Sequence, residues 1–399
     1  MINIALVRGH HLSKEETVSY EPLKGEYSFH CFSTNNPWFD LEDIPFPISR
    51  LSSVEGLFRF LPGMTGARLF SAMDNVLGTG QWMVGLERAL RGFDIVHTSD
   101  YCHLFSWQAA RARRTGNFKL VAIHYENIPF AREEKLAIRV TKPEIYARVD
   151  RFFAMSERAR AALLLEGVEP GRIDVIGHSV DTTVFRPRPE SNDQWRLRLG
   201  LKPTDVVVLF VGRMHESKGV FELLSAAHRL VHDPDIDATR LRFVLAGRGK
   251  RLDDIRARIT RLGLQQHVSI VGSIPHREIH HFHNIADIFT LPSIAVKHWQ
   301  EQFGIVLIES MACAKAVVST MSGSIPEVLG DAAILVQPND HLSLAEGLKR
   351  LIVHPELRAE YGARARQRVE EHFSIDRIAT KLRAAYQSVL EGRPSPASP

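Results

Sequence analysis

A repeating order of short, mostly apolar runs, each followed by a helix-like stretch, restricts the fold of this chain more than any other feature. In the second half the runs are Val206–Val211, Leu241–Ala246, Val268–Val271, Asp287–Leu291, Ala316–Ser319 and Ala333–Val336. Strands without polar alternation are buried on both faces. Joined by helical crossovers, they predict a parallel sheet with helices on each side. The first half carries the same pattern at Ile2–Val7, Asp94–His97, Lys119–His124, Arg151–Ala154 and Ile173–Ile176. A chain of 399 residues can bury two such cores. His178–Pro187 runs into the polar, proline-containing connector Arg188–Gln194, which places a domain boundary at 187/188. A second domain, 188–373, then precedes a last helix whose apolar stripe is Ile375, Ile378, Leu382, Tyr386 and Leu390. The tail 392–399 is expected to be disordered.

Hydrophobic content of 44% and charged content of 24% suit an ordinary globular protein. A formal net charge of +4 is too small to argue for nucleic acid, and no zinc-finger or RNA-binding signature occurs. The cysteines, Cys31, Cys102 and Cys313, lie far apart, which fits a reducing compartment and speaks against a disulfide framework. Met1 leads straight into Ile2–Val7 with no basic leader, and no apolar run reaches the roughly 18 residues of a membrane span. A cytoplasmic protein is expected, with peripheral contact at the inner membrane face left open. Ala131–Arg151 mixes Lys135, Arg139, Lys142 and Arg148 with Glu133, Glu134 and Glu144, and is read as a solvated helix rather than a lipid-facing one. Between Leu51 and Phe93, glycines and Pro62 break the pattern into several short helices, with Phe58, Phe60, Leu61 and Trp82 assigned to the core.

Ligands of open α/β sheets meet the loops at the carboxyl ends of strands. In the first half those loops are Arg8-Gly9-His10-His11 and the stretch from His124 to Asn127, with His97 and Asp100 as weaker candidates. In the second half Val206–Val211 ends in Gly212-Arg213, and Lys218-Gly219 opens a helical pattern. A strand, a glycine turn and a helix flanked by two cations make a plausible phosphate grip. Farther on, Glu301-Gln302-Phe303-Gly304 precedes a helix that starts near Ile305 and carries Glu309. Gly304 lets the backbone approach a ligand, and the helix start offers N–H groups to an anion. Two acids about two turns apart can meet the two ends of an elongated polyhydroxyl ligand. Such a pair alone would be no more than a solvated face.

The constellation carries more weight. The pieces GRMHESKG, LRFVLAGRG, ADIFTLPS and EQFGIVLIE, spread over roughly Val206 to Glu327, resemble the retaining glycosyltransferases of family 4 in order and spacing. The resemblance implies a GT-B fold, α/β with two Rossmann-like domains facing across a cleft, in which the last helix, 374–391, packs back on the first domain. It implies transfer of a sugar, with retention, from a nucleoside diphosphate sugar to a glycan or lipid-linked hydroxyl. Arg213, Lys218 and N–H groups near Phe303 and Gly304 would hold the diphosphate. Glu301 would orient the donor sugar, Glu309 the ribose, and His124 would position the sugar near its reacting carbon. Gly212, Gln302 and Ile305 would line the donor site, and Gly9, without the glycine partner many members carry, the acceptor side. No cofactor is expected, and two cations can neutralise the leaving group without a metal. A nucleotide-sugar epimerase of the same fold and an inactive nucleotide-sugar-binding subunit remain as alternatives. The sequence leaves the donor's base, the acceptor and the oligomeric state open.

Overall fold

The computed structural model describes residues 1–54 and 81–395. It divides into two compact units, Met1–Gly177 together with the chain from Ile378 onward, and His178–Arg377. The first unit holds β1 (Ile2–Val7), β2 (Tyr27–Thr34), β3 (Ile48–Leu51), β4 (Ile95–Thr98), β5 (Lys119–His124), β6 (Arg151–Ala154) and β7 (Ile173–Val175). They form one sheet in the order β3-β2-β1-β4-β5-β6-β7. Every pairing is parallel.

Side chains of a strand alternate between sheet faces, and here both faces are apolar. Ile4, Leu6, Val121 and Phe153 enter one core cluster. Ala5, Val7, Leu120, Ala122 and Phe152 enter another on the opposite side. The latter is covered by α1 (Leu104–Ala112) and α2 (Leu136–Arg148), whose Phe105, Ala109, Ile138 and Ile145 it includes. The former is closed by the C-terminal helix Ile375–Glu391 through Ile378, Leu382, Tyr386 and Val389. That helix is also tied by hydrogen bonds from Arg151 to Ser388 Oγ (3.0 Å) and from Lys381 to the carbonyl of Ile176 (3.2 Å).

The second unit contains β8 (Val206–Val211), β9 (Leu241–Ala246), β10 (Val268–Gly272), β11 (Ile288–Leu291), β12 (Ala316–Thr320) and β13 (Ile334–Val336). Their order is β10-β9-β8-β11-β12-β13, again all parallel. Helix α3 (Val220–Val231) buries Val220, Leu223, Leu224, Ala227 and Leu230, one face at helical spacing. Helices α4 (His276–Ile285) and α5 (Ile305–Ala312) belong to the same core.

The unit begins at His178, ten residues before the 187/188 boundary expected from composition. Hydrogen bonds bind the intervening stretch to this unit. Val180 N–H donates to the carbonyl of Phe373 at 2.8 Å, and Arg366 donates to the carbonyls of Phe185 and Thr182 at 2.7 and 3.2 Å.

Strands β2 and β3 were absent from the sequence expectations, and Lys14–Thr17 is a single helical turn. The helices expected between Leu51 and Phe93, with Phe58, Phe60 and Leu61, fall largely outside the described residues, as do the last four residues of the tail. Trp82 is half-buried, its ring 6.0 Å from that of Trp107. Among the described residues no helix is long and apolar enough to cross a membrane.

Candidate active site

In each sheet the strand order reverses once, between β1 and β4 and between β8 and β11. At such a point the loops leaving neighbouring strands diverge and open a crevice at their carboxyl ends. The sequence-predicted residues of the second unit gather at the β8/β11 point. After β8 come Gly212, Arg213 and a short turn, Glu216–Lys218. After β11 come Ser293, then a tight hairpin in which Val296 and Trp299 exchange backbone hydrogen bonds of 2.8 and 3.1 Å, then Glu301.

Lys218 Nζ donates to Glu301 Oε2 at 2.6 Å, and Ser293 Oγ donates to the same oxygen at 2.6 Å. The Trp299 ring lies 4.5 Å from Lys218 Nζ and 5.9 Å from the Arg213 guanidinium carbon, so one indole faces both cations. Arg213 is exposed and Lys218 largely buried. Burial pulls the Lys218 ammonium below its ordinary pKa, aided by Arg213 and opposed by Glu301. The structure therefore joins two groups for which the family resemblance implies different ends of one substrate.

Gly304 caps α5 at φ +85°, and a Cβ there would stand 2.7 Å from Leu307 Cδ1. That left-handed cap suits glycine and presents the first N–H groups of α5, which have no partner within the helix. Phe303 is a core residue, its ring 4.9 Å from His178 and 5.7 Å from Phe373. It can contribute to a ligand only through its backbone. Gln302 is half-buried and Ile305 exposed.

Glu309 is buried on α5, with Oε1 3.2 Å from His276 Nε2 and Oε2 3.2 Å from His283 Nε2. Burial alone would raise its carboxyl, but the two imidazoles outweigh it and hold the pKa at about 2. Both oxygens are thus engaged by α4, whose His276 and His283 stand seven residues apart on one face. His276 is about half exposed, whereas His283 is fully buried.

In the first unit, His124 ends β5 and is buried. Its Nδ1 lies 3.3 Å from Asp100 Oδ1, while Asp100 Oδ2 accepts from the N–H groups of Tyr125 and Glu126 at 3.0 and 3.3 Å. Burial works to raise the Asp100 carboxyl, yet His124 and these N–H groups bring it down to about 2. A carboxylate at Nδ1 fixes the tautomer and leaves Nε2 as the acceptor. His124 Nε2 is buried and has no hydrogen-bond partner among the described residues.

His97 has its Nδ1 2.6 Å from Tyr386 Oη on the C-terminal helix, and its Nε2, like that of His124, is buried without a hydrogen-bond partner among the described residues. Arg8 is likewise buried, donating to the carbonyls of His97 and Val7 and to Tyr20, beside Glu16. Gly9 has φ +58°, and a Cβ there would run into the Gln81 amide and the Phe105 ring. Its missing side chain makes room for the protein's own packing.

Sequence reasoning passed over Ser293, Trp299, His276 and His283. Only the histidines carried a usable signal, their seven-residue spacing in a helical stretch that runs from the loop after β10 toward β11. Among the described residues no group of three or more His, Cys, Asp or Glu side chains is arranged to hold a metal ion.

Two parallel α/β units, the second with Lys218, Arg213 and Glu301 gathered at its switch point, set the frame, and known proteins narrow the class. Residues 191–368 match the sequence pattern of glycosyl transferases group 1, and residues 65–184 that of glycosyltransferase family 4. The D-inositol 3-phosphate glycosyltransferase 1 of Catenulispora acidiphila is 29% identical over 80% of this chain and 78% of its own. The alpha-maltose-1-phosphate synthase of Mycolicibacterium smegmatis is 32% identical over 56% of this chain, and the match spans little more than half (58%) of that protein. Among solved structures, Anabaena HepE in complex with UDP shares the fold at TM-score 0.77 and 18% identity, over 97% of this chain and all of its own. Sucrose-phosphate synthase from Thermosynechococcus elongatus does so at TM-score 0.74 and 20% identity, over 98% of this chain and all of its own. The fold is GT-B. The chain belongs to the group 1 glycosyltransferases of family 4, and is an enzyme of the hexosyltransferase class.

Proposed function

We propose that the protein transfers a hexose, with retention, from a nucleoside diphosphate sugar to a hydroxyl of a glycan or lipid-linked acceptor, and needs no divalent metal to do so. The observation that carries this reading is the placement of Lys218, Arg213 and Glu301 together at the β8/β11 switch point, ahead of the glycine-capped start of α5. Lys218 and Glu301 neutralise each other across 2.6 Å. A donor splits the pair, its diphosphate taking Lys218 and Arg213 and its sugar hydroxyls taking Glu301. Charge that builds on the departing diphosphate then meets two cations and the first N–H groups of α5, an electrostatic stabilisation already in place. Gly212, Gln302 and Ile305 line this donor site. Glu309 holds the ribose hydroxyls once they replace His276. His124 positions the donor sugar, a role that rests on its own chemistry: a tautomer fixed by Asp100 and an open Nε2. The acceptor's hydroxyl attacks on the face from which the diphosphate leaves: its oxygen bonds to the anomeric carbon as the bond from that carbon to the phosphate oxygen breaks, its proton passes to the departing diphosphate, and the anomeric configuration is kept.

Relatives support a nucleotide-sugar donor, since HepE has been solved with UDP and with UDP-glucose. The test is a thermal-shift panel of nucleoside diphosphates in the presence of EDTA, followed by NMR of the transfer product. One base should stabilise the protein by mass action, and the product should keep the donor's anomeric configuration. No stabilisation by any base, or an inverted product, would overturn the proposal. Change of the donor sugar without any acceptor would point to an epimerase.

A further inference from the structure

The first unit has its own switch point, between β1 and β4, and the donor site does not account for the side chains gathered there. The loop after β1 supplies His10 and His11, and the loop after β4 supplies His103. Trp38, from the loop after β2, joins them. Its N–H donates to the carbonyl of His10 at 2.9 Å, pinning the two loops together. The His10 ring stacks on one face of the indole, with centroids 3.8 Å apart and planes at 27°. His11 meets the indole edge-on at 4.6 Å and lies 5.1 Å from His103. The Gln81 amide nitrogen is 2.7 Å from His10 Nε2 and 3.4 Å from His103 Nδ1, which fixes the imidazoles behind the indole. Trp38 nonetheless remains 61% exposed. An indole held in place by a stacked histidine and a backbone hydrogen bond, with most of its surface in water, offers a fixed flat surface on which an apolar face can stack.

From this we infer that Trp38, with His11 beside it, is a platform for a neutral sugar ring, the acceptor-side subsite of the reaction proposed above. The inference rests on that proposal for its place in the reaction. A pyranose has an apolar C–H face and a rim of hydroxyls, so it buries its face on the open side of the indole while the imidazole edge of His11 exchanges hydrogen bonds with the rim. Charge argues against a phosphorylated ligand. Burial, and next the neighbouring His10, lowers His11 to about 4, and burial with His11 lowers His103 to about 3, so both rings are neutral near pH 7. The guanidinium of Arg8, in the same loop, is buried and engaged by Val7, His97, Tyr20 and Glu16, and Arg132, whose charge also reaches His103, is flanked by Glu126 and Asp100. The platform therefore recognises by stacking and neutral hydrogen bonds.

The test uses the full chain and three probes: methyl α-glucoside, maltose and glucose 6-phosphate, with binding followed by ligand-observed NMR. Wild-type protein should bind the two neutral sugars in the millimolar range and glucose 6-phosphate no more tightly. Trp38→Ala should weaken the neutral sugars at least tenfold, and Trp38→Phe, which keeps a flat ring, by threefold or less. Unchanged binding by Trp38→Ala overturns the inference. So does failure of both neutral sugars to bind wild type, or tenfold tighter binding of glucose 6-phosphate. Nucleoside diphosphate stabilisation, measured on the same samples, separates the two proposals. If a nucleoside diphosphate binds and the sugars ignore Trp38, the platform alone falls. If none binds, the donor reading falls, and the platform loses its place as an acceptor subsite.

Discussion

Removal of Lys218 should damage the protein twice, once as a fold and once as an enzyme. At 2.6 Å, with an effective dielectric of about 20, the attraction between Lys218 and Glu301 is roughly 6 kcal/mol before desolvation. Desolvation takes back several kcal/mol of that, so the pair itself adds little net stability. Breaking it is another matter, because a carboxylate is left buried without its cation, a loss of about 3–5 kcal/mol at a fully buried site. Lys218 keeps some exposure, and Ser293 still donates to Glu301. We therefore expect Lys218→Ala to cost about 2–3 kcal/mol in a urea titration. The double variant Lys218→Met with Glu301→Gln removes both charges, and should recover all but about 1 kcal/mol of that stability. Activity should behave differently. Lys218→Ala should lower kcat/KM by about 1.5–3 kcal/mol, roughly 10- to 150-fold, and the double variant should not restore it, because the diphosphate still lacks its cation. A Lys218→Ala protein as stable as wild type would refute the ion-pair reasoning. Recovery of activity in the double variant would refute the role of Lys218 at the leaving group.

Other outcomes follow from the same geometry. Asp100 and Glu309 are both held near 2, below their ordinary range, so the stability each contributes is full above about pH 4.5 and is lost as pH falls through about 2. On the order of 2–3 kcal/mol from each is at stake. Melts between pH 6 and pH 2 should show this slope, and Asp100→Asn and Glu309→Gln should each flatten it; an unchanged slope in both variants counts against the assignment. Asp100→Asn should also lower kcat roughly 10- to 100-fold while donor KM stays within twofold, as expected of a residue that orients His124. A change confined to KM would move Asp100 out of that role. Gly304→Ala should cost about 1–2 kcal/mol from left-handed strain and the clash with Leu307, visible as a lowered urea midpoint. A neutral result would show that the cap of α5 is not held in that conformation.

Much of the architecture was legible in the chain because the strands declare themselves locally. The run VVVLFV of β8 and the run INIALV of β1 are apolar on both faces, and a strand of that kind fits only a sheet covered on both sides. β2 escaped notice for the opposite reason. YSFHCFST mixes serine and histidine into a strand that has half-buried positions and lies beside the edge strand β3, so polar residues are tolerated and the apolar run is broken. The site divides along the same line. The spacing within Gly212, Arg213 and Lys218, and within Glu301, Gly304 and Glu309, is a local property of the chain, and it carried the resemblance to the family. Which group holds which is not such a property. Lys218 and Glu301 are 83 residues apart, Glu309 answers to two histidines on another helix, and Asp100 meets His124 from the end of a neighbouring strand. Periodicity reports which side of an element avoids water. The partner of a charge is decided by where loops from distant strands come to rest, because a hydrogen bond or ion pair depends on separation in space and is indifferent to separation along the chain.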